Sequence, residues 1–116
     1  MIYKNKGISY SQFILDYLGN QLDKDIKVGV NTFYNCREQG YCLDIHNADY
    51  SKGITMWIYA QRNSDLPTIT YKPAITLTES GNSFDEESWR ERTKSYEDLM
   101  EASHEALKII KKEMES

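Results

Sequence analysis

The sequence has 116 residues, of which 40% are hydrophobic and 28% charged, and its formal net charge at pH 7 is -4. This composition is that of one ordinary globular domain, and it excludes a disordered chain. No apolar run approaches the roughly 20 residues that a membrane-spanning helix needs, and the start, MIYKNKGISYSQ, lacks the pattern of a secretory signal. A net acidic chain without clustered Lys or Arg is also a poor candidate for direct nucleic-acid binding.

These features favour a soluble cytoplasmic protein whose two cysteines stay reduced. The chain is rich in Lys, Asn, Tyr and Ile, which is typical of an AT-rich coding genome such as that of a low-GC bacterium or its phages. We therefore expect a bacterial host cell as its setting.

The first predicted element is an amphipathic helix. Apolar residues at positions 10, 13, 14, 17, 18 and 22 have the spacing that stacks side chains on one helical face. Ser9 and Gln12 match a capping box, which predicts that the helix begins at Ser9. Gly19 and Asn20 weaken the last turn, so the helix should end near residues 20–22.

Strands are predicted next. Apolar and polar residues alternate over 26–32, 41–46 and 54–61, the two-residue period of half-buried strands. The stretch PTITYKPAITLT is rich in β-branched residues but contains Pro67 and Pro73. Because proline cannot donate a ladder hydrogen bond, this segment is predicted to be an edge strand, with a possible break at Pro73.

A long helix is predicted for the C-terminal segment. Ser83 and Glu86 form a capping pattern, and apolar residues step by three or four positions from Trp89 to Met114. One rod of about 30 residues would measure about 45 Å, long for a domain whose radius of gyration should be near 13 Å. A second capping pattern at Ser95 supports a break near Lys94 as well as continuity.

The predicted fold class is therefore α+β in a single domain over residues 1–116. It has an N-terminal helix, an antiparallel sheet of three to four strands, and a long C-terminal helix that is continuous or broken.

The stretch CREQGYCLDIH, residues 36–46, is compatible with a metal site, a disulfide or a plain hairpin. A strand would hold Cys42 and His46 about 13 Å apart, too far to bind one zinc ion. A three-residue loop, 38–40, would set Cys36 opposite Cys42 within bridging range. A four-residue loop, 37–40, would instead pair Cys36 with Tyr41. Either loop would place Gly40 in a left-handed conformation.

We favour the four-residue loop, in which Asn35 lies opposite Cys42 and the thiols stay apart. Only this register puts Val30 on the same face as Leu43 and Ile45, because a slip of one residue exchanges the two faces. The opposite face then presents a mixed set of aromatic and polar side chains, namely Asn31, Phe33, Asp44, His46, Trp57 and Tyr59. Such a face is typical of a binding surface, although the C-terminal helix or segment 67–78 could instead cover it as a second core.

Asp44 and His46, followed by Asp49, are the residues that most resemble a catalytic acid–base pair. The sequence has no nucleophile motif beside them, no Gly-rich phosphate loop and no HExxH motif. We expect no enzymatic activity, no metal and no cofactor.

The negative charge is concentrated near the C-terminus. Eight acids and eight bases cancel over residues 1–83, whereas residues 84–116 hold ten acids and six bases. The candidate partner-binding acids on the predicted helix are Glu91, Glu97, Asp98, Glu101 and Glu105. A solvated helix face explains such a row, and so does a surface that docks on a basic groove of another protein.

The sequence thus favours a small, acidic, non-enzymatic binding protein whose partner is another protein, such as a nucleic-acid-binding protein with a basic groove. Small size, acidity and the absence of active-site motifs are also traits of phage- or mobile-element-encoded inhibitors, including anti-CRISPR proteins and DNA mimics, although no motif matches such a family. One alternative is a virion-assembly or homo-oligomeric component that lends its proline-marked edge strand or its long helix to a neighbour. A second is a small enzyme or ligand-binding domain centred on Asp44, His46, Trp57 and Tyr59.

Overall fold

The computed structural model describes residues 6–35, 38–49, 51–61, 66–73 and 92–115. In chain order the elements are α1 (Lys6–Gln21), β1 (Ile26–Asn35), β2 (Glu38–Asn47), β3 (Gly53–Gln61), β4 (Pro67–Pro73), β5 (Arg92–Ser95) and α2 (Leu99–Glu115). The strands form one antiparallel sheet in the order β1-β2-β3-β4-β5. The fold is α+β, as predicted, but the sheet has five strands rather than three to four.

The core lies between the helices and one face of the sheet. Alternate positions of β2, β3 and β4 point to this face, and their side chains are almost completely buried: Leu43, Ile45, Ile54, Met56, Ile58 and Ile69. The helices contribute Ile14, Leu18, Ala102, Ala106 and Ile110 to the same cluster. Burying each large aliphatic side chain contributes about 1.5–3 kcal/mol, so both helices are held on this side of the sheet.

The first helix begins earlier than predicted. Ser9 lies inside α1, which starts at Lys6, so Ser9 and Gln12 do not form its N-terminal capping box. The Gln12 amide instead donates to Asp16 (2.9 Å) and accepts a hydrogen bond from the Tyr41 hydroxyl (3.1 Å). The predicted end near residues 20–22 is confirmed by the last helical residue, Gln21.

The hairpin between β1 and β2 is tighter than predicted. Asn35 lies opposite Glu38, so two residues, 36 and 37, connect the strands instead of four. Cys42 lies opposite Asn31, and Tyr41 opposite Thr32. The register differs by four residues from the predicted one, and because four is an even number every side chain keeps its predicted face. Cys36 lies outside the described residues, and the Cys42 thiol is free.

Gly40 lies within β2 between Phe33 and Tyr59, not in a left-handed turn. A Cβ atom at this position would lie 2.8 Å from the Tyr59 Cα atom and would meet the carbonyl oxygen of Ile58. Glycine is required here because two backbones approach closely.

The prediction that the proline-marked strand is an edge strand is wrong. β4 lies between β3 and β5, and Pro67 and Pro73 are its two end residues, where proline removes no interior ladder bond. On its other side β4 pairs with β5, Arg92–Ser95, a segment that was predicted to be helical. Thr70 bonds to Thr93 across this pair of strands (Oγ1 to Oγ1, 2.8 Å).

The second helix has 17 residues instead of about 30. Asp98 Oδ1 accepts a hydrogen bond from the Glu101 N–H (2.9 Å), and Glu101 Oε1 accepts one from the Glu97 N–H (3.2 Å). This arrangement is a variant of the capping box, because Glu101 accepts from Glu97, the residue before the cap, and not from Asp98 itself. The Asp98 contact satisfies one donor that the first turn leaves free. A continuous helix through Lys94 is wrong, because residues 92–95 form β5. The cap of α2 is Asp98, and Ser95 is hydrogen-bonded to Thr68 instead (2.9 Å). Residues 83–91 of the predicted helix lie outside the described residues.

Candidate functional site

The structure separates the predicted partner-binding residues into two surfaces on opposite sides of the sheet. The helix α2 packs on the face that carries Leu43 and Ile45. The other side carries the polar–aromatic face, which we define as Asn31, Phe33, Cys42, Asp44, His46, Trp57 and Tyr59. A single flat contact therefore cannot include both groups. Glu91 lies outside the described residues.

The polar–aromatic face is buried around Tyr59. Tyr59 is 6% exposed and its ring lies 5.5 Å from the ring of Phe33. The Tyr59 hydroxyl and Thr70 Oγ1 are hydrogen-bonded at 3.0 Å, and Thr68 beside them is fully buried. Tyr59 is therefore a packing residue rather than an accessible contact residue. The helix α2, which was one predicted cover for this face, lies on the other side of the sheet, and segment 74–78 lies outside the described residues.

The rest of the face is more accessible. Asp44 is exposed, and Cys42, His46 and Trp57 are half-buried. The Lys72 ammonium lies 5.2 Å from the centre of a Trp57 ring, within range of a cation–π contact. These residues form a mixed polar and aromatic patch at the middle of the sheet.

The polar groups of the accessible patch make contacts with neighbouring residues of the sheet. Asp44 accepts a hydrogen bond from the Thr55 hydroxyl (3.4 Å), and His46 Nδ1 contacts the carbonyl oxygen of Asn47 (2.8 Å). Burial raises the pKa of the Cys42 thiol, as does the nearby charge of Asp44, with Lys72 acting in the opposite direction. A protonated thiol is a weak nucleophile and a weak metal ligand.

Asp49 belongs to a turn rather than to this patch. It accepts a hydrogen bond from the Ser51 N–H (3.0 Å), and its hydrogen bonds with Ser51 lower the pKa of its carboxyl group. Within the described ranges, no three His, Cys, Asp or Glu side chains converge on a point where they could hold a metal ion. No helix in that part of the chain is both long enough and apolar enough to span a bilayer.

The second surface surrounds the start of α2, and we call it the acidic surface: Glu97, Asp98, Glu101 and Glu105. Three of these residues are exposed and Glu105 is half-buried. The ion pair between Glu105 and Lys108 is long, at 3.9 Å, and Lys108 is largely exposed, so it contributes at most about 1 kcal/mol. Among the described residues, no Lys or Arg forms an ion pair with Glu97, Asp98 or Glu101.

The capping box orders two of these carboxylates without neutralising them. Asp98 and Glu101 accept hydrogen bonds from uncharged backbone N–H groups. Their negative charge is favourable at this end of the helix because it complements the helix dipole. The acidic surface thus combines a local structural role with exposed negative charge.

A shallow depression between β5 and α2 adjoins the acidic surface. Tyr96 forms its floor and is only 4% exposed, and the exposed Met100 lies at its side. Burial and, to a smaller extent, the nearby Glu105, Tyr71 and Glu101 side chains together raise the pKa of Tyr96 to about 12. The Lys94 ammonium lies 5.3 Å from the centre of the Tyr96 ring. Sequence analysis did not single out Tyr96 and Lys94 as site residues, because they flank the surface only once residues 92–95 are known to be a strand.

Comparison of the chain with protein-family models, with curated proteins and with solved structures gives no match.

Proposed function

We propose that this chain is a small, acidic, non-enzymatic binding protein that docks on a basic surface of a partner protein through its acidic surface. The observation that carries this proposal is the exposure of Glu97, Asp98 and Glu101 without an ion pair to a described Lys or Arg. Carboxylates without an ion pair in the described part of the chain are available to pair with basic groups of a partner.

The class of partner follows from electrostatics. Closely spaced negative charges attract a surface of clustered Lys and Arg, speed association and disfavour acidic partners. Such basic clusters are typical of grooves that bind nucleic acid. The proposed partner is therefore a nucleic-acid-binding protein, and the proposed role is that of an inhibitor that competes with nucleic acid, of the kind that phages and mobile elements encode against proteins of the bacterial cytoplasm.

The docking surface also offers apolar contact. Met100 is 43% exposed beside the depression floored by Tyr96. Charged groups contribute mainly to specificity and association rate, whereas contact energy comes from buried apolar and aromatic groups. Met100 lines the same depression as Asp98, Glu101 and Glu105, and this proximity supports a compact contact with one partner groove.

The decisive variant removes the charge and keeps the cap. It carries four substitutions that preserve side-chain shape: Glu97→Gln, Asp98→Asn, Glu101→Gln and Glu105→Gln. Asn caps a helix about as well as Asp, and Gln can replace Glu in a capping box. The matched control removes the same number of charges from exposed acids elsewhere: Asp16→Asn, Asp23→Asn, Asp25→Asn and Glu115→Gln.

The immobilised chain and both variants are exposed to the DNA-binding protein fraction of a bacterial lysate. We expect the wild type and the control to retain the same proteins, and the acidic-surface variant to bind them at least about tenfold more weakly, about 1.4 kcal/mol in binding free energy. Retention should fall steeply as salt shortens the screening length from about 8 Å at 0.15 M to about 3 Å at 1 M, and duplex DNA should release the bound proteins. Equal losses in the two variants, or retention that salt does not affect, would contradict the proposal.

A further inference from the structure

The two edges of the sheet are unlike. β5 is an edge of four exposed residues, two of which are charged, Arg92 and Lys94. β1 is an edge of ten residues that contains no proline and one charged residue, Lys27. Proteins protect sheet edges with short strands, charges or proline. By these criteria β5 is protected, whereas β1 is long and has no proline and a single charge within its ten described residues.

The outward-facing backbone groups of β1 can be identified from the hydrogen-bond pattern. The Asn47 N–H donates to Lys52 across the turn between β2 and β3. Because pairing directions alternate along an antiparallel strand, odd-numbered residues of β2 bond to β3 and even-numbered ones bond to β1. The β1 partners of these even-numbered residues are odd-numbered. The N–H and C=O groups of Val28, Val30, Thr32 and Tyr34 therefore point away from the sheet.

Three of these four side chains, Val30, Thr32 and Tyr34, are also exposed, whereas Val28 is half-buried against the core. All four lie on the face that carries the helices, but the helices pack over β2, β3 and β4. As a result Val30 is 42% exposed and Tyr34 is 75% exposed. β1 thus presents a row of backbone donors and acceptors together with apolar side chains that water still reaches.

We propose that β1 pairs antiparallel with β1 of a second copy of this chain, so that two five-stranded sheets join into one continuous sheet. A two-fold axis at Val30 pairs Val30 with its own copy, Val28 with Thr32, and Ile26 with Tyr34. Each of these pairs shares a face and has outward-facing backbone groups, apart from the Ile26 N–H, which donates to Asp23. The proposal does not rest on the docking function proposed above.

Charge also favours a second copy as the occupant. In this register the two Lys27 side chains are six residues apart along the paired strands, or about 20 Å. That distance exceeds the screening length of about 8 Å at physiological ionic strength, so the copies do not repel each other at this edge. The β1 edge carries no acid that would require a basic partner strand.

The test is the mass of the protein in solution, measured by light scattering over a concentration series up to about 1 mM. At that concentration a dimer with an association free energy of about −4.1 kcal/mol is half-formed. The wild type should change from one chain to two as concentration rises. Val30→Pro blocks the outward N–H without removing a bond to β2, and Val30→Lys places a charge at the edge. Each should raise the dissociation constant at least about tenfold, whereas Val30→Thr, which keeps a β-branched side chain, should still dimerise.

Amide hydrogen exchange provides a residue-level check. The amides of Val28, Val30, Thr32 and Tyr34 should become slower to exchange as the concentration rises, whereas the Asn31 amide, which bonds to β2, should be protected throughout. Circular dichroism establishes whether each variant is folded. If Val30→Pro does not fold, Val30→Lys alone tests the proposal. A wild type that stays monomeric at every concentration, or a dimer that persists in both edge variants, would overturn the proposal.

Discussion

Ser11 and Gly40 act at the same point of the sheet, where Tyr41 of β2 lies opposite Ile58 of β3. The buried Ser11 hydroxyl donates to the Ile58 carbonyl oxygen (2.5 Å) and accepts a hydrogen bond from the Tyr41 N–H (3.2 Å). A side chain of α1 thus bridges two strands through their backbones. A buried hydroxyl without partners would cost about 1–3 kcal/mol, so this bridge fixes where α1 sits on the sheet.

Gly40 should be intolerant of substitution. Gly40→Ala places a methyl group against the backbone of β3, and the backbone must shift to accept it. We expect the free energy of unfolding to fall by about 1–3 kcal/mol or more, as measured by urea denaturation. Gly29→Ala is the matched control, because its Cβ would lie 3.8 Å from the nearest atom, the Asp44 carbonyl oxygen. It should be neutral or stabilising by about 0.4–1 kcal/mol, and equal losses at both positions would rule out the steric explanation.

At the scale of elements, the start of α2 depends on one short local motif. The chain leaves β5 at Ser95, and the Tyr96 N–H donates to the Pro67 carbonyl oxygen (2.9 Å) before the helix begins. Asp98 then caps α2. The acidic surface keeps its geometry only as long as this cap holds, which links helix stability to the proposed docking site.

Replacing the cap should weaken the protein. Asp98→Ala removes the acceptor for the Glu101 N–H, so we expect the free energy of unfolding to fall by about 0.5–2 kcal/mol. Asp98→Asn retains an acceptor and should change stability by only a few tenths of a kcal/mol, roughly the scatter of surface substitutions. Glu97→Ala, next to the cap, is the control for loss of a surface carboxylate. Thermal and urea unfolding of the three variants test this order, and an Asp98→Asn variant as unstable as Asp98→Ala would show that charge matters more than capping.

Elements whose signals are local could be predicted from the sequence. The alternation of apolar and polar residues identified β1, β2 and β3, and it assigned their side chains to the correct faces even though the hairpin register was wrong by four residues. β5 was missed because Thr93 and Tyr96 also fit a helical spacing. Its strand conformation is stabilised by pairing with β4, a contact about 25 residues away in the chain that no local pattern encodes.

At the scale of the whole molecule, the two proposed interaction surfaces are far apart. The edge strand β1 and the strand β5, which leads into the acidic surface, are separated by four inter-strand spacings, or about 19 Å. Surfaces this far apart, with no shared residues, should act independently.

Independence can be measured by combining variants. Val30→Lys should weaken self-association at least about tenfold and leave the capture of DNA-binding proteins unchanged. The four-substitution acidic-surface variant should weaken capture and leave self-association unchanged. Their effects on the free energy of unfolding should add to within about 0.3–0.5 kcal/mol, as measured on folded, monomeric samples. If Val30→Lys also reduced capture, docking would require the dimer, and the two surfaces would not be independent.

The sequence by itself determined the α+β class, the two helices, the alternation of most strands and the excess of negative charge near the C-terminus, because each of these depends on residues close together in the chain. Only the tertiary structure decided that β4 is an interior strand, that Tyr59 is buried, that β1 is the long open edge, and that the acids and the polar–aromatic face lie on opposite sides. Those properties depend on which distant segments pair and pack. The free energy of such a contact depends on both segments that form it, so neither segment predicts it alone.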